Sequence, residues 1–288
     1  MTQNASRKIR VTKVFSDAYV DKTDALAIEE PLEIRLQFGM HDQRATKNVS
    51  VTMRTPGNDI ELAAGFLFTE GIVKFADDIA GIDHCFVACS ENKENIVQVS
   101  LKEWVVPNLQ NTERNFYTTS SCGVCGKGSI NAIRTVSSFS NADDHFTISS
   151  GMLYGLPAVL EQQQAVFADT GGLHASALFS PEGELIMVKE DVGRHNALDK
   201  LIGAALLSGR LPLNRSILLL SGRASFELVQ KAAMAGICII ASVGAPSSLA
   251  VELAEEFNIT LAGFLRGNRF NIYTATHRIL LPIHENTH

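Results

Sequence analysis

The sequence holds no apolar run near the roughly 20 residues that a bilayer-spanning helix needs, so no helical membrane anchor is expected. Met1 to Arg10 is polar and basic with no apolar segment behind it, so no export signal is expected there. Positive charge is in short supply: 25 Lys and Arg against 31 Asp and Glu give a formal charge of −6. That balance argues against non-specific nucleic-acid binding, while leaving room for local arginines that hold phosphates. Internal repeats and low-complexity tracts are absent. Cysteine is scarce: Cys85, Cys89, Cys122, Cys125 and Cys238 are five in 288 residues. An odd number in a long chain without an export signal points to a cytoplasmic protein whose thiols stay reduced and are more often chemical than structural.

Two of the five stand out. Ser121-Cys122-Gly123-Val124-Cys125-Gly126 places two thiols two residues apart between glycines. Such a pair serves as half a zinc site, as a dithiol redox centre, or as a thiolate that carries a group. Cys85 and Cys89 would complete a four-thiolate zinc site. They flank an apparent strand, Cys85 to Cys89, which would set them roughly 13 Å apart. No metal is therefore expected. Cys238, inside Gly236-Ile237-Cys238-Ile239-Ile240, reads as a core residue.

Periodicity places the remaining elements. Met1 to about Lys22 reads as polar and loose at its start. Pro31 to Phe38 and Val49 to Arg54 alternate as strands, and Ile96 to Leu101 is a third. Asp59 to Glu70 has helical spacing and ends at Gly71. Asn141 to Asp144 marks a candidate boundary, giving residues 1–145 as a smaller α+β subdomain that ends in the C-x-x-C loop, and 146–288 as an α/β domain. In that second half, strands at Ser216 to Leu220, Ile237 to Ser242 and Ile259 to Leu265 alternate with helices at Ser225 to Ala235 and Ser247 to Phe257. A strand–helix repeat of this length requires crossovers and a parallel core sheet. Strands at Ala175 to Phe179 and Leu185 to Lys189 precede it, followed by a helix from Asn196 to Ser208.

Ligands of open α/β sheets collect at the carboxyl ends of the parallel strands. Three segments fall there. Ser221, Gly222, Arg223 and Ser225 follow the first strand, Gly244 to Ser248 the second, and Gly263 to Arg269 the third, with Arg266 and Arg269 as cations. Glycine turns, free helical N–H groups and arginines form a cradle for phosphates or a nucleotide. Singly, each segment also reads as an ordinary helix start. His174 ends one glycine-rich run. Glu190-Asp191-Val192-Gly193-Arg194-His195-Asn196 is a second polar run, whose bland reading is helix capping by the two acids and a surface ion pair for Arg194. Asp199 and Lys200, deeper in the helix, are expected to be solvated.

Read together, SSCGVCGKGSI (120–130), TGGLHASAL (170–178), EDVGRHNALDK (190–200), SGRASFELVQKA (221–232), APSSLAVELA (245–254) and GFLRGNRFNIYT (263–274) resemble the formate dehydrogenase accessory protein family, FdhD. EEPLEIRL (29–36) and ELAAGFLFTEGI (61–72) extend the resemblance across most of the chain. It implies a sulfurtransferase: a carrier that accepts persulfide sulfur from a cysteine desulfurase and passes it to the molybdenum cofactor, as bis(molybdopterin guanine dinucleotide), before insertion into formate dehydrogenase. It puts the persulfide on Cys122 with Cys125 assisting. It puts the cofactor on Phe264, Leu265, Arg266, Gly267, Asn268 and Arg269, with Ser221, Gly222, Arg223, Ser225, His174, Asp191 and His195 as further candidates. Glu190, Asp191 or a backbone carbonyl are candidate acceptors for the guanine protons, and GDP or GMP should act as mimics. The resemblance also implies a cytidine deaminase-like three-layer core with a mixed sheet, and a homodimer. The deaminase zinc signature is missing: Ala175 and Ser176 follow His174 in place of a catalytic Glu.

Overall fold

The computed structural model describes residues 5–85, 95–109, 139 and 146–282. Cys89, Cys122, Cys125 and the expected boundary at Asn141 to Asp144 lie outside them. The chain opens with a hairpin of β1 (Ser6–Val14) and β2 (Tyr19–Ala27), paired in register from Ser6–Ala27 to Val14–Tyr19. The expected loose start falls at residues 1–4, outside the described residues, and the hairpin that follows was not anticipated. Cross-strand pairing supports a segment whose many charges hide its alternation, because both strands keep most side chains exposed.

β3 (Glu30–Phe38) and β4 (Ala45–Arg54) form a second hairpin. It is followed by α1 (Asp59–Thr69), a short 3-10 turn at Ala76–Asp78, β5 (Ile79–His84) and β6 (Ile96–Leu101). The four strands make one sheet in the order β4-β3-β6-β5, with β3 and β6 parallel. Leu32, Ile34 and Leu36 point from β3 onto Leu62, Ala63 and Leu67 of α1, so the strand period of two meets the helix period on one core. The strand expected from Cys85 to Cys89 lies, past Cys85, outside the described residues; Cys85 itself follows β5 and donates its N–H to the Ile96 carbonyl at 2.9 Å.

The second half begins with β7 (Ile148–Ser149), α2 (Ser150–Gln163) and α3 (Ala165–Thr170). The hairpin β8 (His174–Phe179) and β9 (Leu185–Asp191) follows, then α4 (Arg194–Leu207), β10 (Ile217–Leu220), α5 (Phe226–Met234), β11 (Ile239–Ser242), α6 (Ser248–Glu256), β12 (Thr260–Arg266), β13 (Arg269–Thr274) and β14 (Ile279–Leu280). β7 and β14 form a small parallel pair. The main sheet runs β13-β12-β11-β10-β8-β9. β10, β11 and β12 are parallel, as the crossover argument requires; β8 and β13 flank them antiparallel, and β9 pairs antiparallel with β8 at the edge. Alternate residues face opposite layers. Leu218, Leu220 and Ile240 pack under α4, α5 and α6, while Ile217, Leu219, Ile239 and Ala241 pack under α2 through Leu153, Leu156 and Leu160. The result is an α/β/α sandwich around a mixed sheet. Cys238 is fully buried in it, its Sγ 2.8 Å from the Asn214 carbonyl.

The two halves meet at a close helix crossing and at buried ion pairs. α1 crosses α4 with main chains touching: a Cβ on Gly65 would overlap the Asp199 carbonyl, and one on Gly203 would overlap that of Glu61. Buried ion pairs lie beside this crossing. Lys231 of α5 bonds both Asp199 oxygens and Thr69 Oγ1 of α1, each at 2.9 Å. Lys200 lies 2.7 Å from Asp191 and donates to the Thr55 carbonyl at 2.8 Å. Asp199 and Lys200 are each only 2 % exposed, which corrects the expectation that they are solvated. They occupy the α4 face covered by α1 and the β4–α1 turn, and each acid and lysine is satisfied by the other pair member and by hydrogen bonds, as burial of charge requires.

Candidate functional site

The main sheet does not stop at the carboxyl ends of its parallel strands. Past β10, β11 and β12 the three backbones remain hydrogen-bonded to one another. Gly244 N–H donates to the Gly222 carbonyl at 3.1 Å, Ser247 N–H to the Ala224 carbonyl at 3.0 Å, and Phe264 N–H to the Gly244 carbonyl at 3.0 Å. Glycine is needed where they approach. A Cβ on Gly244 would come within 3.0 Å of the Arg223 main chain, and one on Gly263 within 2.7 Å of Pro246. Pro246 sits before the N-cap of α6 and bridges Ala224, so it sets the turn and not the first helical residue. Ser247 caps α6 by accepting from Ala250 N–H at 3.2 Å. The three expected segments are thus one surface.

Phe264 is the conformational outlier of that surface. It has φ 56° between buried Gly263 and buried Leu265, at a break in the β12–β13 register, and the residue is 40 % exposed. A left-handed, exposed aromatic costs about 1–3 kcal/mol and is held by its surroundings, a pattern that clusters at functional sites. Leu265 is fully buried in the core below α2, while Arg266, Gly267, Asn268 and Arg269 are exposed at the hairpin tip. Arg266 Nε reaches the Val243 carbonyl at 3.4 Å. Arg266 therefore leans across the end of β11, beside Gly244.

The run from Glu190 to Asn196 divides by role. Asp191 is fully buried: Oδ2 takes Thr55 N–H at 3.1 Å and the Lys200 ammonium, and Oδ1 takes Gly193 N–H at 2.8 Å and Asn196 Nδ2 at 3.1 Å. Glu190 does cap a helix, but it is α3, through Val166 and Phe167 N–H at 3.3 and 3.0 Å. Both carboxylates are therefore engaged with the protein itself. Arg194 makes no ion pair among the described residues, and its Nε is buried there without a hydrogen-bond partner. His195 Nε2 lies 3.0 Å from Glu227 Oε2 and 3.3 Å from Ser225 Oγ, so Ser225 answers to His195 and its side chain does not cap α5. His174 packs over Gly222, where a Cβ would meet Nδ1 at 3.3 Å. Burial, with Arg194 and His195 nearby, pushes the His174 imidazole below its usual 6.5 against the pull of Asp191. His174, Arg194 and His195 thus gather basic groups beside the first turn.

A cavity of about 480 Å³ opens on the other side of His174, between α2, α3 and the ends of β10 and β11. Ser221 and Val243 line it with His174. Ser221 Oγ accepts Ala175 N–H at 2.8 Å, which ties the first turn to β8. Of the candidates named from sequence, His174 and Ser221 line the cavity; Gly222 and Arg223 lie on the turn beside it; His195 and Ser225 pair with each other; Asp191 is interior. The α2 and α3 wall was not anticipated. Pro157 in mid-helix masks α2, although Ser149 as its N-cap and Leu153, Leu156 and Leu160 at i, i+3, i+7 are legible signals of it. Among the described residues no group of three His, Cys, Asp or Glu is arranged to hold a metal ion. No described helix is long and apolar enough to cross a membrane.

Comparison with known proteins adds an independent line. Residues 27–280 match the model of the FdhD/NarQ family. The chain is 50% identical over 280 residues to the sulfur carrier protein FdhD of Mycolicibacterium paratuberculosis, covering 96% of this chain and 99% of that one. It is 42% identical over 273 residues to that of Sulfolobus acidocaldarius, covering 95% and 98%. A crystal structure described as a formate dehydrogenase accessory protein from Desulfotalea psychrophila superposes with a TM-score of 0.72 at 25% identity, covering 96% of this chain and all of the other.

Proposed function

The chain belongs to the FdhD/NarQ family, and on that premise we propose that it is a sulfurtransferase, a sulfur carrier that serves a formate dehydrogenase. Sulfur arrives as the persulfide of a cysteine desulfurase. The Cys122 thiolate attacks the outer sulfur, the donor's S–S bond breaks, and the donor cysteine leaves as a thiolate; no external oxidant or reductant is needed. Cys125 assists as the neighbouring thiol. The sulfur then passes to the molybdenum cofactor, held as substrate in its bis(molybdopterin guanine dinucleotide) form.

One observation carries this reading: the three turns past β10, β11 and β12 form a single hydrogen-bonded surface, with Arg266 leaning across its edge. Arg266 and Arg269 suit charge-assisted contacts to pyrophosphate oxygens, and the N-termini of α5 and α6 add donors. The residues present fit an anionic guest: Arg194 Nε is buried without a hydrogen-bond partner among the described residues, and it lies in the basic group with His174 and His195. The strand order β9-β8-β10-β11-β12, a hairpin beside three parallel strands, supports a cytidine deaminase-like core. A cytoplasmic homodimer completes the reading.

The test is mass spectrometry after incubation with a desulfurase and cysteine. A gain of one sulfur atom on the Cys122 peptide, absent in Cys122→Ala, is expected. Sulfur that accumulates only on another residue, or nowhere, overturns the assignment.

A further inference from the structure

The hairpin of β1 and β2 is a two-stranded sheet of its own, apart from both larger sheets. Its base rests on the body, where a Cβ on Gly172 would lie 3.8 Å from that of Ala27. Most of its side chains are exposed. A lone two-stranded ribbon is marginal in water, and further strands or a packed helix make it stand. Each edge of the ribbon also presents a row of main-chain groups that a further strand can pair with.

The ladder fixes which groups those are. Phe15 N–H donates to the Ala18 carbonyl at 2.8 Å, and Ile28 N–H to the Ala5 carbonyl at 2.9 Å. Bonded pairs recur at every second residue of an antiparallel ladder. Val20, Lys22, Asp24 and Leu26 therefore turn their main-chain groups toward β1, and Tyr19, Asp21, Thr23, Ala25 and Ala27 turn theirs outward. The two edges differ in charge. β1 carries Arg7, Lys8, Arg10 and Lys13 and no acid, so two copies meeting along it would set cation against cation. β2 is self-complementary about Thr23, with Lys22 on one side and Asp24 on the other.

We infer that a second copy of this chain pairs antiparallel along β2, Thr23 opposite the partner's Thr23, to make one four-stranded sheet across a two-fold axis. The inference rests on the homodimer in the reading above and names its interface. In this register Lys22 faces the partner's Asp24, and Val20 faces the partner's Leu26; the axis makes each contact twice. Val20 and Leu26 are 48 % and 47 % exposed in the single chain, and the pairing covers both. Within one chain Lys22 and Asp24 lie 4.0 Å apart with both side chains nearly half exposed, so both are open to a directly opposed charge. Asp21, which faces the partner's Ala25, is already held by Thr12 Oγ1 at 2.7 Å. Other registers fail. A slip of two residues one way sets Lys22 against itself, and the other way Asp24 against itself. A slip of one residue opposes outward groups to inward ones and makes no ladder.

Sedimentation of the full chain over a concentration series tests it. The parent is expected to be a dimer. Lys22→Asp and Asp24→Lys should each weaken it by about tenfold or more, since opposite charges become like charges at both symmetric positions. The variant with both substitutions should regain the parent's affinity. So should an equal mixture of the two single variants, because one then carries acids and the other lysines at both positions; a misfolded variant could not do this. Thr23→Pro removes an outward N–H at the axis without breaking the ladder to β1, and should also loosen the dimer. The substituted side chains are exposed enough for all these proteins to keep the parent's thermal melt. A parent dimer that survives every substitution unchanged, or single variants that are weakened yet fail to associate on mixing, overturns this interface and leaves the homodimer standing. A parent that is monomeric at every concentration overturns both, while sulfur on the Cys122 peptide still decides the carrier reading.

Discussion

Lys231 Nζ lies 2.9 Å from each carboxylate oxygen of Asp199, in the seam where α1, α4 and α5 meet. Thr69 Oγ1 bonds both partners, and Glu70 stands 3.8 Å away. Removing one member leaves the other charged and buried. Asp199→Ala should therefore destabilise the protein by about 3–5 kcal/mol, while Asp199→Leu with Lys231→Met should recover most of that loss. Urea unfolding of the single and double variants measures both. The pH dependence has a definite sign. Burial opposes the Lys231 charge, but Asp199 and Glu70 outweigh it and raise the group above its ordinary 10.5. A group raised by folding gives its full stability below 10.5 and surrenders it as pH climbs through the folded value. The contribution should be flat through neutrality and fall only on the alkaline side, and Lys231→Met should flatten that arm.

The α1–α4 crossing should tolerate no side-chain atom at its centre. A Cβ on Gly65 meets the main chain of Asp199, and one on Gly203 meets that of Glu61, so neither clash can be relieved by a rotamer change. Gly65→Ala and Gly203→Ala should each lower stability by about 3 kcal/mol or more, beyond the small gain alanine brings to a helix. Gly155→Ala is the control, because nothing lies within 4 Å of its Cβ in α2. Thermal melts of the three variants separate the outcomes. A Gly65→Ala melt like that of Gly155→Ala would refute the close crossing.

His174 should titrate below 6.5. Its imidazole is half-buried, and Arg194 and His195 disfavour a further positive charge. Because folding depresses the group, its contribution to stability is present above 6.5 and is lost as pH falls through the folded value. Two-dimensional NMR of the histidine ring protons locates the midpoint. His174→Gln should remove part of the acid sensitivity between pH 6.5 and the folded value, and a midpoint at or above 6.5 contradicts the environment described here.

The parallel core was legible because its strands are apolar on both faces and its helices end in turn residues: Ser216 to Leu220 and Ile237 to Ser242 have no other reading. The cradle followed from the crossover rule. What stayed hidden was tertiary. Asp199 and Lys200 look like an ordinary solvated pair on α4, and only the arrival of α1 through Gly65 and Gly203 turns that face inward. Charge masked β1 and β2, whose stability comes from pairing with each other. Pro157 masked α2, and with it the cavity wall that Glu161, Gln164 and Phe167 line. β13 has no assignment from sequence, because Gly267 and Asn268 suggest a turn without saying that the chain returns along β12.

The segment from Phe264 to Arg269 should separate into binding and packing positions. Leu265 is fully buried beneath α2, and Arg266 and Arg269 are paired across the hairpin tip with both side chains exposed. Leu265→Ala should therefore cost about 2–5 kcal/mol of stability through the cavity it leaves. Arg266→Ala and Arg269→Ala should change stability by about 0.5 kcal/mol or less, yet each should weaken GDP binding about tenfold, the size of a lost charge-assisted contact. Salt should erode the GDP affinity of the parent more steeply than that of either arginine variant, since fewer charges remain to be screened. Calorimetry at two ionic strengths, run beside urea unfolding, reads all of these. If Arg266→Ala and Arg269→Ala keep the parent affinity and salt slope, the phosphates are not held at the hairpin tip. Retained affinity in Arg266→Ala alone would place them nearer α5 and Arg223.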